Sequence, residues 1–362
     1  MTRISVNINS KILRWAREER GFTTEEICQK IRLNIETYND WEKNGKDIPF
    51  SKLQKLANQY KRQIAIFFLP DIPPKTKKPK DYRNLADTTL TKDTLFVIRK
   101  VNHFRTLSLE LEGSTYWTKK YEWTKEAQTT KEKEQWLRNK LDISIDDQLR
   151  YESSSQAYRH WRNSIESKLG ILVFQFAMPL NQVQGFCYSD YQPYCIVVNS
   201  KHSYQARIFT LFHELGHLVK HQSGICLPDK VESNEEVEFG CNEFAGRFLI
   251  PENALVPSTE FEEIKTFASQ LKVSSEVYLR RLLDEGLLNK VRFFSLLKEI
   301  KASYKDFKQR KGGFVKPVVK SKAERGETFY NMIFENLSSN KIKYTEASEA
   351  LGLTIKTIMS EV

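Results

Sequence analysis

The segment His213-Glu214-Leu215-Gly216-His217 is the stretch from which the rest of the sequence can be interpreted. Residues four apart in a helix lie on one face, about 6 Å apart along the axis, so the two histidines can bring imidazole nitrogens to one Zn²⁺ ion. Glu214 can then act as a general base on a water molecule beside the metal. The chain has only six histidines, so chance is a poor explanation. A helix with two incidental histidines is the simpler alternative.

Zinc catalysis needs a third protein ligand and an open coordination position. The next candidate ligand is Glu238, on a predicted helix that Pro251 ends. Asn242 lies one turn further along the same face, where it can hydrogen-bond a metal ligand or the substrate. Glu235 and Glu236 are rival ligands, although acidic residues in a first helical turn need no metal to explain them.

His221 continues the four-residue spacing of the two histidines. It lies about 12 Å from His213 along a straight helix, so both cannot bind one ion. Two locations are compatible with the position of His221. It can lie beside the metal ligands or the substrate, or simply on the helix surface. Together with Tyr204 and Arg247, it is also a candidate to stabilise the oxyanion, and the sequence does not rank the three.

Three short segments before the metal helix are rich in residues that favour β-strands. They are Leu169–Phe176, Val183–Tyr188 and Tyr194–Asn199. They predict a small sheet, and an extended peptide substrate can bind along a sheet edge as an added strand. We expect Tyr194–Val198 to be that edge strand.

Residues 1–69 predict five short helices with recognisable ends. Thr23 or Thr24 can cap the second helix, while Asn34 opens a third helix that Gly45 ends. This pattern, with the Trp41-Glu42-x-x-Gly45 signature, resembles the lambda-repressor-like helix-turn-helix domain of the XRE family. The resemblance implies a recognition helix at about Asn34 to Lys43 that enters the major groove of double-stranded DNA.

DNA binding by residues 1–69 is supported by some side chains of this helix and opposed by others. The candidate DNA contacts are Asn34, Thr37, Asn39 and Lys43. The first three can hydrogen-bond base edges. The acidic residues Glu36, Asp40 and Glu42 would be repelled by phosphates. The alternative is a module used for dimerisation, giving a homodimer, or for docking a partner.

Composition sets limits on the class of protein. The 362 residues predict two or three domains. A net charge of +11 suits nucleic acid or an acidic partner, but can also be mere solubility. Five cysteines without a C-x-x-C pair indicate reduced thiols in a cytoplasmic protein. No run of about 18 apolar residues exists, so we expect no contact with a membrane.

The remaining regions complete the predicted domain order, and we expect an α+β fold that is mostly helical. Prolines and lysines mark residues 70–91 as a linker. Helical spacing predicts a helical connector over residues 92–164, without a cofactor signature. Residues 165–290 form the zincin-like domain with the small sheet, and residues 291–362 form a helical C-terminal module.

The metal region also resembles a known family. Its marks are the run His213–His221 and the later pattern Glu238-x-x-x-Asn242-x-Phe-Ala-x-x-Phe-Leu-Ile-Pro251. They are similar to the ImmA/IrrE family of zinc metallo-endopeptidases. The resemblance implies that His213, His217 and Glu238 bind zinc and that Glu214 is the catalytic base. Cys241 departs from the family pattern, which usually has alanine there.

Taken together, the chain resembles family members that join an XRE helix-turn-helix to the peptidase. Such members cleave or inactivate a regulatory protein, often a repressor or a component of a toxin–antitoxin system. The predicted function is therefore a zinc-dependent endopeptidase that acts on a regulatory protein partner, with the helix-turn-helix targeting DNA or that partner. One alternative is a transcriptional regulator or antitoxin-like binding protein with a sensory or inactive metal site. The other is a peptidase toxin.

Overall fold

The computed structural model describes residues 4–73, 90–120, 130–219, 225–226, 235–303 and 315–361. Helices account for most of these residues, and the strands form two small sheets. The predicted class, α+β and mostly helical, is confirmed. The described chain divides into two compact units: residues 4–73 with 90–102, and the described residues from 103 onward.

The first unit is built from short, well-capped helices around one apolar core. Its elements are β1 (Ser5–Val6), α1 (Ser10–Glu19), α2 (Thr24–Ile31), α3 (Ile35–Asn44), β2 (Ile48–Pro49), α4 (Phe50–Tyr60) and a 3₁₀ helix (Ile64–Phe68). Thr23 and Glu26 form a capping box at the start of α2, and the Asn34 side chain caps α3. Gly45 ends α3 with a φ of +68°, and a Cβ there would collide with the carbonyl oxygen of Ile8.

The fifth predicted helix of this unit, over residues 63–69, is a short 3₁₀ helix that spans Ile64–Phe68. Its end is held by Asn9, whose side-chain amide donates to the carbonyl oxygens of Leu69 and Pro70 at 3.2 and 2.7 Å. These bonds fix the chain where Pro70 would in any case stop a helix.

The helix α5 (Lys92–Lys120) begins in the first unit and continues into the second, with non-helical backbone at Gly113. The other helices of the second unit are α6 (Thr130–Leu141), α7 (Ile145–Arg150), α8 (Ser154–Leu169), α9 (Tyr204–Val219), α10 (Glu235–Leu249), α11 (Phe261–Gln270), α12 (Ser275–Asp284), α13 (Lys290–Ser303), α14 (Pro317–Arg325), α15 (Glu327–Ser338), α16 (Tyr344–Leu351) and α17 (Ile355–Met359). Its strands are β3 (Leu172–Phe176), β4 (Gly185–Tyr188), β5 (Cys195–Asn199) and β6 (Ile225–Cys226).

The sheet of the second unit has the order β3-β5-β4-β6. β3 runs parallel to β5, whereas β4 is antiparallel to both β5 and β6. The expectation that Tyr194–Val198 forms an edge strand is therefore wrong, because β5 is hydrogen-bonded on both sides. Local patterns mark strands but do not give their order, since β3 reaches β5 through a crossover that includes all of β4.

The C-terminal helices pack onto the sheet of the same unit. The buried Glu166 carboxylate on α8 accepts hydrogen bonds from the backbone N–H groups of Glu327 and Thr328 at 2.9 and 3.2 Å. These two residues begin α15, where a carboxylate is favoured by the helix dipole. Arg162 pairs with Glu166 at 3.2 Å and donates to the carbonyl oxygen of Val173 in β3. Buried ionic contacts thus tie the C-terminal helices to α8 and the sheet.

Candidate metal centre

Two neighbouring turns of α9 place the histidines on its buried face. His213 is 5% exposed and His217 is fully buried. Their Nε2 atoms lie 3.1 Å apart. This follows from the four-residue spacing, which stacks the two rings along one side of the helix.

Glu238 on α10 meets both imidazoles. Its carboxylate oxygens lie 3.3 Å from His213 Nε2 and 3.3 Å from His217 Nε2. A tetrahedral zinc ion with bonds of about 2.0–2.1 Å holds its ligand atoms roughly 3.3 Å apart. Among the residues that the structure describes, this is the set of histidine and acidic side chains that can hold one metal ion. The donor types and their spacing therefore fit Zn²⁺.

Asn242 orients the first histidine. Its Oδ1 lies 2.8 Å from Nδ1 of His213, one helical turn beyond Glu238 on α10. An amide oxygen can only accept, so it selects the tautomer with the proton on Nδ1. That tautomer leaves the Nε2 lone pair directed at the position a metal would take.

Burial and nearby charge act in opposite directions on these side chains. Burial lowers the pKa of the His213 imidazole, but the hydrogen bond to Glu238 and the charges of Glu214 and Glu238 outweigh it, so the pKa is raised. Burial raises the pKa of Glu238, but hydrogen bonds from His213 and His217 outweigh that effect and hold the pKa well below its usual range. The Glu238 carboxylate is therefore ionised, as a metal ligand must be.

Glu214 is fully buried between α9 and the sheet. A Cβ added to Gly185 in β4 would lie 3.1 Å from Glu214 Oε1 and 2.5 Å from Cγ2 of Thr210. Only glycine at this position lets β4 pass so close to the carboxylate. Sequence reasoning did not single out Gly185, although an isolated glycine within a strand is a signal of close backbone approach.

Gly216 has a similar role between α9 and α10, the two helices that carry the candidate metal ligands. A Cβ there would lie 3.1 Å from Cδ1 of Phe244 and 3.4 Å from Cα of Cys241. Cys241 is fully buried at this contact. The small side chains at both positions let α9 and α10 approach closely enough for Glu238 to reach the histidines.

Other residues considered from the sequence lie elsewhere. Tyr204 and Arg247 are each nine residues from a metal-site residue on their own helix, which is about 13 Å along the axis. Arg247 pairs with Glu243 and Glu285 at 3.0 and 3.1 Å. The role of either residue in stabilising an oxyanion stays a prediction. His221 lies outside the described residues.

Of the two rival metal ligands, the structure describes the side chain of one. Glu236 is exposed and is not part of the cluster of His213, His217 and Glu238. The side chain of Glu235 lies outside the described part of the chain.

The first unit presents the predicted reading helix on its surface. The side chains of Asn34, Thr37, Asn39 and Lys43 are all exposed. Glu36 and Asp40 are exposed as well.

Glu42, in contrast, faces inward. Its carboxylate accepts two hydrogen bonds from Arg17 at 2.7 and 3.0 Å and one from the Tyr38 hydroxyl at 2.9 Å. The expectation that Glu42 would repel phosphates is wrong, because its charge is buried and paired. Periodicity within one helix did not reveal the partner on α1.

Comparison with known families agrees with this architecture. The model of the IrrE N-terminal-like domain, peptidase family M78, matches residues 166–283. A helix-turn-helix family model matches residues 13–67. The chain is a fusion of a helix-turn-helix domain with an IrrE-type peptidase domain. The resemblance drawn from the sequence is confirmed.

The IrrE-type domain of this fusion contains His213, His217 and Glu238, and its helix-turn-helix domain contains all of α3. Searches of curated proteins and of solved structures found no match. Among the described helices, none is both long and apolar enough to span a membrane. The four cysteines whose side chains are described form no disulfide; they are Cys28, Cys187, Cys195 and Cys241.

Proposed function

We propose that this protein is a zinc-dependent endopeptidase that cleaves a regulatory protein of the repressor or toxin–antitoxin type. The observation that carries the proposal is the close approach of three ligand side chains. The Nε2 atoms of His213 and His217 lie 3.1 Å apart, and each lies 3.3 Å from a carboxylate oxygen of Glu238. Burial of two imidazoles against a carboxylate costs free energy, and a bound metal ion would offset that cost. The match to a peptidase family agrees with this reading.

His213, His217 and Glu238 would hold the ion, with Asn242 fixing the His213 ring. When bound, zinc polarises the scissile carbonyl and makes a water molecule more acidic. Glu214 takes the proton from the attacking water and delivers it to the leaving amine. Burial beside Gly185 suits Glu214 to this task, because it holds the carboxylate in one position and away from bulk solvent.

The experiment compares the wild type with Glu214→Gln and with Glu236→Gln, which changes an exposed carboxylate on α10. Each is expressed in the same host cells, and newly formed protein N-termini are labelled and sequenced. We expect a regulatory protein to be cleaved by the wild type and Glu236→Gln but not by Glu214→Gln. Cleavage that survives Glu214→Gln would contradict the proposal.

We further propose that the helix-turn-helix domain directs the peptidase to double-stranded DNA or to a regulator bound there. The exposed Asn34, Thr37 and Asn39 offer amide and hydroxyl groups suited to base edges. The inward pairing of Glu42 with Arg17 removes one negative charge from that surface. Selection of genomic fragments by the full chain tests this part. A shared sequence in the selected fragments, lost on Asn39→Ala, is the expected result, and equal recovery of all fragments would contradict it.

A further inference from the structure

Three arginines gather in the first unit where α1 and α4 end and α5 begins. Arg20 follows α1, Arg62 lies two residues beyond α4, and Arg99 lies on α5. The guanidinium carbons of Arg20 and Arg99 lie 5.0 and 5.5 Å from the centroid of the Phe96 ring. That of Arg62 lies 4.5 Å from the centroid of the Trp15 ring. We call Arg20, Arg62 and Arg99 the arginine cluster.

Some donors of the arginine cluster are satisfied within the protein. Arg99 Nη2 donates to the carbonyl oxygen of Tyr60 at 3.2 Å. Arg20 donates through Nη1 to the carbonyl oxygen of Lys92 and lies 3.4 Å from the Asp93 carboxylate through Nη2. These contacts fix the side chains of Arg20 and Arg99. They do not use every N–H group of the cluster.

Four buried donors at the arginine cluster lack an acceptor among the residues that the structure describes. They are Nε of Arg20, Nε and Nη2 of Arg62, and Nε1 of Trp15. Arg20 is only 7% exposed. A buried donor without a partner is costly, and buried N–H groups in folded proteins are nearly always bonded. Several such donors in one place indicate a ligand that accepts hydrogen bonds.

The charge balance of the cluster points the same way. Among the described residues, its acidic neighbours are Asp93, whose side chain is 74% exposed, and Glu19. Burial lowers the pKa of Arg62, and burial followed by repulsion from Arg62 and Arg20 lowers the pKa of Arg99 to about 10. Positive charges that repel one another while shielded from water are stabilised by an anion.

We propose that the arginine cluster, with Trp15, binds the phosphate group of a small ligand. Planar guanidinium groups match the oxygens of phosphate in paired hydrogen bonds, and the indole N–H supplies a further donor. A phosphate group accepts several hydrogen bonds at once, and its negative charge would offset the repulsion among the three guanidinium groups. The site goes beyond the proposed peptidase function and does not depend on it.

The test titrates the protein of 362 residues with inorganic phosphate and with pyrophosphate, in a calorimeter, at low and constant ionic strength. Chloride replaces the anion in the blank, and a short DNA duplex forms a third arm. The variants are Arg62→Gln, Arg99→Gln and the control Lys55→Gln, which removes a surface charge from α4. Arg62→Lys keeps the charge but not the planar fork.

We expect one phosphate or pyrophosphate to bind per chain, with affinity at least about tenfold weaker in Arg62→Gln and Arg99→Gln and unchanged in Lys55→Gln. Circular dichroism of each variant separates lost binding from lost folding, and Arg62→Lys supplies a folded comparison if Arg62→Gln unfolds.

Absence of binding to both anions would overturn the proposal. Equal binding by the wild type and the folded arginine variants would also overturn it. So would a loss of duplex binding in these variants without a loss of phosphate binding, because that result assigns the cluster to the DNA backbone.

Discussion

The Oδ1 atom of Asn242 lies 2.8 Å from the Nδ1 atom of His213, although the two residues belong to different helices. This contact decides which nitrogen of His213 is free to bind a metal. Polar partners of this kind orient metal-bound imidazoles and raise their basicity.

Replacing Asn242 with alanine should therefore weaken zinc binding without preventing folding. We expect the affinity to fall about 10- to 100-fold, the usual cost of removing such a partner. Competition with a chelator of known affinity measures the change. Glu236→Gln, an exposed change on the same helix, is the control and should bind zinc like the wild type. An affinity in Asn242→Ala equal to that of the control would show that the contact does not orient the ligand.

Gly185→Ala should reduce both stability and peptidase activity. The new Cβ would lie 2.5 Å from Thr210 Cγ2 and 2.8 Å from the carbonyl oxygen of Val197, which forces the strand away from Glu214. Overpacking of this kind typically costs about 1–3 kcal/mol. Chemical denaturation measures the loss. Adding Thr210→Ser removes the methyl group in closest contact, so the double variant should recover part of the stability. No recovery would indicate that the Thr210 contact is unimportant.

Gly326→Ala should release the C-terminal helices from α8. A Cβ there would overlap Oε1 of Glu166 and lie 2.9 Å from the carbonyl oxygen of Val173, and the φ of +83° adds strain. Gly286→Ala is a matched control, because its φ is +70° but no atom lies within 4 Å of the added Cβ. We expect Gly326→Ala to be about 1–3 kcal/mol less stable than Gly286→Ala. Limited proteolysis should cut α14–α17 sooner in Gly326→Ala, and equal cleavage of both variants would contradict the docking argument.

The stability of the second unit should depend on pH through Glu134 on α6. Burial raises the pKa of Glu134 from 4.5 to about 7, partly offset by Arg247 and Arg281, while Glu243 and Glu285 add repulsion. Between these two values the folded state binds more protons than the unfolded state, so stability falls as pH rises from about 4.5 to 7. Glu134→Gln removes this dependence. The variant should therefore gain stability relative to the wild type as pH increases.

Melting temperatures at a series of pH values check the Glu134 prediction. Glu262→Gln serves as the control, since the side chain of Glu262 is 74% exposed. A difference between wild type and Glu134→Gln that stays constant with pH, or that shrinks as pH rises, would contradict the assigned burial.

The parts of the structure that follow from local sequence were predicted well. Asn34 and Gly45 bound α3 because capping and left-handed backbone are properties of single residues. The face of α9 that carries His213 and His217 follows from helical periodicity alone. Placing Glu238 beside them needed the resemblance to a known family as well as spacing.

Features that depend on contacts between distant segments were missed. The central position of β5 is set by β3 and β4 together, and neither strand alone carries that information. The inward turn of Glu42 depends on Arg17, 25 residues earlier in the chain. The capping of α15 by Glu166 joins positions 161 residues apart. Because no local pattern reveals such a contact, the sequence predicted the C-terminal helices as a separate module.

The metal content of the purified protein tests the proposed zinc centre most directly. Elemental analysis should find one zinc ion per chain in the wild type, in Glu214→Gln and in Glu236→Gln, because none of these changes removes a ligand. Glu238→Gln, two residues away on the same helix, should lose most of its zinc. A wild type that holds no stoichiometric zinc, or a folded Glu238→Gln variant that retains it fully, would contradict the account.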